Sequence, residues 1–372
     1  MSYSMDNRPG KGSSIYTRKL IEGFLADPRI DLTLVHYDKV DDPIYLQAHE
    51  IIMPPLKLPM ATRFVRQLLF FWQYRQKKFD VIQWCQPRVY PFFWFAPARH
   101  KIVTPFCGGD IAGPGAYPLS RRMFNFTLKH FNHKFSALIA SSDFGKGEIV
   151  EYYKADPVRV HVVYLAGGEG YEPLPKAEVQ EQVRAKYKVM APFILDVSRL
   201  DTHKNVARVI QAYDHARKRG GLKHKLVIVG YKGDDSPNVK AVAQASPYVS
   251  DILFVNYVEA ADLNAMYSAA DLFIFPSLNE GFGLPLIEAF ASGVPIITSN
   301  TTSIPEVVVD AAVTVDPLDP DAMGEAIIRV LADEHLRSEL IRKGLVRAKE
   351  FTWKKTAERT ADIYCSLASD VA

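Results

Sequence analysis

The chain has 372 residues, 48% hydrophobic and 23% charged, with a formal net charge of +3. That composition excludes a disordered or fibrous chain, and the length provides for two domains, each with its own core. No apolar run reaches bilayer length and the start MSYSMDNRPGKGSS has no signal-peptide centre, so a cytoplasmic protein is expected. Three cysteines, Cys85, Cys107 and Cys365, are widely spaced and odd in number, which fits a reducing compartment and argues against a disulfide framework or a zinc site. Charge is unevenly shared. Residues 1–168 hold 22 Lys and Arg against 14 Asp and Glu, whereas the remainder hold 23 against 28. The basic half is expected to meet an anionic surface, lipid headgroups before nucleic acid, because its cations lie among aromatics with no RNA-binding or helix-turn-helix signature.

In chain order, residues 1–9 supply only a short first strand, YSMD, before the turn Pro9-Gly10-Lys11-Gly12-Ser13-Ser14. An amphipathic helix follows over 15–25. A Gly-rich turn running into a helix suits a phosphate: Gly12 lets the backbone approach and Ser13 or Ser14 caps the helix. Apolar runs at 31–37, 80–84, 101–105, 137–141 and 160–165 read as strands, and the patterns at 62–78, 120–131 and 144–153 read as helices. Their alternation predicts a doubly wound parallel sheet. The helix over 62–78 combines Phe64, Val65, Leu68, Leu69, Phe71 and Trp72 with Arg63, Arg66, Arg75, Lys77 and Lys78. Its apolar stripe can face the sheet, lie on an anionic leaflet, or do both. The polar stretch 166–175 is the linker candidate.

The second half repeats the scheme, with strands at 193–198, 225–229, 252–255, 272–275, 295–298 and 312–315 and helices near 205–219, 260–269, 284–292 and 321–331. The segment 198–205, SRLDTHKN, follows the first of these strands. Arg199 and Lys204 therefore reach the carboxyl edge of the sheet, where two cations can neutralise a diphosphate and stabilise it as a leaving group. Further on, 277–300 reads SLNEGFGLPLIEAFASGVPIITSN. Leu284-Pro285 opens a short helix there and Gly293 closes it. The loop Glu280-Gly281-Phe282-Gly283 thus lies at a strand end and a helix N-terminus, a natural phosphate site. Glu280 and Glu288 flank it. Beside a phosphate, a carboxylate is best used to accept hydrogen bonds from hydroxyls, so this constellation points to a nucleotide sugar.

NEGFGLPLIEAFASGVPIITSN resembles the signature of retaining glycosyltransferases of family 4, which have the two-domain architecture called GT-B. The resemblance extends over essentially the whole chain and implies two Rossmann-like α/β domains facing a cleft. It implies an N-terminal acceptor-side domain over 1–168, a nucleotide-sugar domain over 169–350, and a terminal helix over 351–372 returning to the first domain. Glu280 is then implied to contact the donor sugar, the amides of Gly281, Phe282, Gly283 and Leu284 to hold sugar and phosphate, and Glu288 to bind the ribose. RLDTHKN resembles the family's diphosphate motif, giving Arg199 and Lys204 that role. Gly12 and Ser13 resemble the glycine loop that closes over the donor. Many relatives carry His-Asp where this chain has Gly109-Asp110, leaving Asp110 as either an acceptor-side residue or a turn aspartate.

The expected activity is hexosyl transfer, mannose or a related sugar, from a nucleotide-diphosphate sugar to a saccharide or lipid-linked acceptor. The resemblance to mannosyl- and rhamnosyl-transferases of bacterial surface-polysaccharide assembly favours a GDP-linked donor over a UDP-linked one. It implies same-face attack, with the departing diphosphate oxygen taking the acceptor's proton. No cofactor is expected. No metal is expected either, since no histidine pair has ligand spacing, Asp319-Pro320-Asp321 reads as a helix cap and Asp234-Asp235 as a turn. A sugar-nucleotide-binding protein without transfer activity is the alternative. A NAD-dependent dehydrogenase would need a third glycine that the stretch Gly10-Lys11-Gly12-Ser13-Ser14-Ile15 lacks.

Overall fold

The computed structural model describes residues 12–39, 41–53, 62–77, 79–85, 89–106, 119–230 and 232–369. The expected first strand, the turn residues Pro9, Gly10 and Lys11, and the Gly109-Asp110 loop lie outside them. The chain divides into two units, Met1–Leu165 with Trp353–Ala372, and Ala166–Thr352.

In the first unit, helix α1 (Gly12–Leu25) precedes two parallel strands, β1 (Thr33–His36) and β2 (His49–Ile52). Gly12 and Ser13 form the first turn of α1 rather than a loop ahead of it, because the Ser13 carbonyl already accepts the Thr17 hydroxyl at 2.8 Å. Then come α2 (Thr62–Gln73), β3 (Phe79–Trp84), β4 (Ala98–Val103), α3 (Leu119–Phe131), β5 (Ala137–Ala140), α4 (Asp143–Tyr153) and β6 (Val160–Val162). Strands β3 to β6 pair in sequence order, all parallel. Phe70 and Phe71 of α2 are buried in this unit's core, so the apolar stripe of that helix faces the sheet. Trp72 alone among its large rings points out, 66% exposed and stacked by Arg75.

The second unit opens with α5 (Lys176–Tyr187), whose polar composition hides it from a periodicity reading. It continues with β7 (Phe193–Val197), α6 (Val206–Gly220), β8 (Lys225–Val229), α7 (Ser236–Ala245), β9 (Ile252–Val255), α8 (Ala260–Ala269) and β10 (Leu272–Phe275). After these come α9 (Leu284–Ala291), β11 (Ile296–Ser299), α10 (Ile304–Val308), β12 (Val313–Val315), α11 (Pro320–Ala332) and α12 (Glu334–Ala348). Runs such as LFIF in β10 are buried on both faces, as strands of a helix-covered parallel sheet must be. The order is β12-β11-β10-β7-β8-β9. From β7 the chain winds out to β9, returns to β10 on the other side of β7, and winds out to β12. The direction reverses between the carboxyl ends of β7 and β10, the crevice where such sheets bind ligands.

The last helix, α13 (Trp353–Ser369), belongs to the first unit, against α1 and β3. Gly23 of α1 makes this close packing feasible, since a Cβ there would lie 2.3 Å from that of Ala357. Beneath it Gln83 donates to Thr104 at 2.9 Å and Tyr364 donates to Gln83, giving buried polar groups their partners.

Candidate active site

Two loops meet at the sheet reversal, 198–205 after β7 and 276–283 after β10. Asn205 fastens them. It sits in left-handed backbone (φ 65°) and its amide donates to the carbonyl of Pro276 at 3.1 Å and of Pro317 at 2.7 Å. The backbone N–H of Leu278 donates to the His203 carbonyl at 2.7 Å. With these bonds made, Lys204 ion-pairs with Glu280, their side chains only 16% and 13% exposed. The ammonium also lies 4.8 Å above the Phe275 ring. At such low exposure water and salt screen the pair weakly.

Glu280 is held along its whole length. Ser277 donates to its Oε1 at 2.7 Å, the same oxygen that Lys204 reaches. Its backbone N–H donates to the Thr302 hydroxyl at 3.2 Å, and its carbonyl accepts from Ser303 at 2.9 Å. Thr302 adopts φ 57°, a conformation a β-branched residue holds only when its surroundings impose it. Next, Gly283 turns at φ 95° into α9, whose N-terminus no side chain caps. A cation, a carboxylate and an uncapped helix start are thereby gathered at one crevice. That arrangement can take a phosphate with attached hydroxyl-bearing groups.

Glu288 lies one turn into α9. Burial pushes its carboxyl up to about 7, opposed by the Tyr267 hydroxyl that donates to it at 3.0 Å. The backbone of Gly167 crosses the start of the same helix, where a Cβ would lie 3.2 Å from the Leu284 carbonyl oxygen. Arg199 is exposed and its guanidinium bonds to Asp201 at 3.2 Å. The structure thus pairs Lys204 with Glu280 just ahead of α9 and pairs Arg199 with a different carboxylate.

Three groups were not assigned from the pattern of residues. Asp196, in β7 directly beneath the loop, is fully buried, and burial pushes its carboxyl up to about 7 against the Ser198 hydrogen bond (2.6 Å) and the Lys204 charge. Its second oxygen has no hydrogen-bond partner. Asp234, read as a plain turn residue, accepts from the Thr202 N–H at 2.7 Å and clamps the 198–205 loop from the β8–α7 turn. Gly230 and Gly233 permit that approach, since a Cβ on them would lie 1.8 Å from the Ser198 oxygen and 2.1 Å from Leu200 backbone. Asn205 stands in the motif but without a role. The DxD-like Asp319 caps α11 through Ala322 N–H at 2.9 Å. Among the described residues no group of three or more His, Cys, Asp or Glu side chains is placed to hold a metal ion.

Residues 179–347 match the family model of glycosyl transferases group 1. The chain is also 30% identical over 276 residues to the O-antigen chain mannosyltransferase B of Escherichia coli, an overlap of 74% of this chain and 72% of that protein. This chain belongs to the group 1 glycosyltransferases. The serotype-specific mannosyltransferase WbdA of Escherichia coli is 29% identical over 254 residues, 67% of this chain but only 31% of WbdA. Among solved structures, sucrose-phosphate synthase from Thermosynechococcus elongatus superposes with a TM-score of 0.75 at 20% identity, covering 97% of this glycosyltransferase and 94% of that chain. The glycosyltransferase WaaG gives 0.70 at 16% identity, covering 96% and 97%. At such identities the likeness is one of fold, and the fold class is GT-B.

Proposed function

We propose that this glycosyltransferase moves a mannosyl group from a nucleotide-diphosphate mannose, GDP-linked in preference to UDP-linked, to a saccharide or lipid-linked acceptor with retention of anomeric configuration. Relatives named as mannosyltransferases support the sugar, among them MMP alpha-(1->4)-mannosyltransferase of Mycolicibacterium hassiacum, 28% identical over 263 residues, 68% of this chain and 60% of that protein. The observation that carries the reading is the Lys204–Glu280 pair set beside the uncapped start of α9 at the sheet reversal.

In this reading the diphosphate lies against the N-terminus of α9, with Lys204 and Arg199 meeting it. As the glycosidic bond breaks, negative charge grows on the leaving phosphate oxygen, and fixed cations and backbone N–H groups stabilise it there. That oxygen accepts the proton of the attacking acceptor hydroxyl on the same face of the sugar. Lys204 and Ser277 both donate to Oε1 of the Glu280 carboxylate, leaving Oε2 for a hydroxyl of the transferred sugar. Glu288 takes the ribose hydroxyls. The reading includes no metal ion or resident cofactor.

The test is incubation with GDP-mannose, UDP-glucose and an oligosaccharide acceptor panel, with the product anomer read by NMR. The expected result is consumption of GDP-mannose and an α-linked product. A β-linked product overturns retention. Nucleotide binding without turnover on any acceptor favours a binding protein over an enzyme.

A further inference from the structure

Between Glu280 and α9 the chain reads Gly281-Phe282-Gly283, so Phe282 supplies the only side chain through which packing can fix this stretch. Its ring is buried, 3% exposed, and meets the Phe351 ring edge to face, with centres 5.3 Å apart and planes at 81°. Phe351 is itself buried, in the connection between α12 and α13. Over it stands the Arg347 guanidinium, 4.6 Å from the ring centre. Arg347 is fixed in turn: Nε donates to the Val307 carbonyl at 2.8 Å, Nη2 to the Glu306 carbonyl at 2.7 Å, and Nη1 pairs with Glu350. Those two carbonyls belong to α10, and the two residues just ahead of α10 hold the backbone of Glu280, Thr302 through its N–H and Ser303 through its carbonyl. The contacts therefore close a circuit that begins and ends on one loop: Glu280, Phe282, Phe351, Arg347, α10 and Glu280 again.

Burial alone does not require this arrangement, since aliphatic side chains would cover Phe282 equally well. Its partner is instead a ring overlaid by an arginine whose forked donors grip the same short helix that secures Glu280. An edge-to-face contact and a cation over a ring are both directional, so they set where the Phe282 ring sits and, with it, the backbone N–H groups on either side. In the donor reading those N–H groups and Glu280 meet the leaving diphosphate and the transferred sugar, where donors act at full strength only when held in place beforehand. We propose that Phe351 and Arg347 are positioning residues for the transfer: they seat Phe282 and so preset the amides of 281–284 and the Glu280 carboxylate. The inference rests on the donor reading and adds to it two residues that act through the loop.

Hydrogen exchange of the full chain, read by mass spectrometry on peptides spanning 277–290, tests the seat without any ligand. The bonded amides there include Glu280, on Thr302, and Leu286, on the Gly283 carbonyl. Phe351→Leu keeps apolar bulk but loses the ring edge and the platform for the cation, so these amides should exchange about tenfold faster while peptides of β7 and α6 keep their wild-type rates. Phe282→Leu should do the same, and the double variant should exchange no faster than either single one, because both remove one contact. With GDP-mannose and UDP-glucose as donors, kcat of Phe351→Leu should fall about tenfold while calorimetric binding of GDP or UDP changes less than about threefold, since preset amides count most for charge that appears as the bond breaks. Arg347→Met should shift kcat in the same direction. Wild-type exchange in Phe351→Leu, or additive effects in the double variant, overturns the proposal. So does wild-type kcat in Phe351→Leu beside an inactive Lys204→Ala. Nucleotide binding that Lys204→Ala leaves intact overturns the donor reading first and this inference with it.

Discussion

Replacing Asp196 with asparagine should stabilise the protein, and increasingly so as the pH rises. The carboxyl is fully buried in β7, bonded through one oxygen to Ser198, and its folded-state pKa is raised from 3.8 to about 7. A carboxyl with a raised pKa favours the fold in its neutral form. Its contribution is intact below the unfolded value and is lost as the pH rises through the folded one. At pH 8 the ionised buried carboxylate therefore costs the fold about 4 kcal/mol, and at pH 5, where the folded carboxyl is protonated while the unfolded one is ionised, the cost is about 2 kcal/mol. Asparagine removes the charge and keeps an oxygen for the Ser198 hydroxyl. The assay is urea denaturation of wild type and Asp196→Asn between pH 5 and 8, followed by tryptophan fluorescence. The stability difference should widen with pH by about 2–3 kcal/mol. A constant difference, or a variant less stable than wild type at pH 8, would refute the burial argument and make Asp196 a paired group.

Other consequences concern the loops that carry the site. Asp234→Ala removes the acceptor for the Thr202 N–H, so the KM for the donor should rise about tenfold, for a charged hydrogen bond of about 1.5 kcal/mol, with kcat less affected. Asp234→Asn should recover most of that loss, and no recovery would mean that the charge rather than the clamp matters. Gly230→Ala drives a Cβ into the Ser198 carbonyl and should cost about 3 kcal/mol of stability together with donor binding, read by thermal denaturation and calorimetry. If Glu288 takes the ribose hydroxyls as proposed, it accepts them fully only when ionised, so the KM for the donor should climb as the pH falls from 8 through 7 towards 6. Glu288→Gln should show a high KM without that pH dependence, and a matching slope in the variant would locate the titration elsewhere.

Much of the second unit was legible because its signals are local. A buried run such as LFIF, a Pro-opened helix and a closing glycine define β10 and α9 within about 20 residues, and the short range leaves little room for tertiary override. The clamp was not legible. Gly230, Gly233 and Asp234 lie some thirty positions from Ser198 and Thr202, and only the pairing of β7 with β8 brings the two turns together. Asp196 was hidden for a related reason: one acid in ILDV looks like a solvent-facing break until helices are known to cover both faces. Helices α5 and α12 escaped because polar residues outnumber apolar ones in them and only a narrow stripe, Val179 and Val183 or Leu340, Gly344 and Ala348, is buried. On α2 the apolar stripe was visible but its partner was not. The sheet took Phe70 and Phe71, and the exposed aromatic surface lies instead on Phe92, Phe95 and Phe126.

The central claim is that the loops after β7 and β10 hold a nucleotide diphosphate. Its most direct test is calorimetric and thermal-shift titration with GDP, UDP and ADP on wild type, Lys204→Ala and Glu288→Ala. One nucleotide should stabilise wild type by about 2.7 kcal/mol at a hundredfold excess over its dissociation constant, and both variants should lose that response while remaining folded without ligand. If no nucleotide shifts the wild type, or the variants respond as it does, the Lys204–Glu280 pair is a structural bridge and the donor site lies elsewhere.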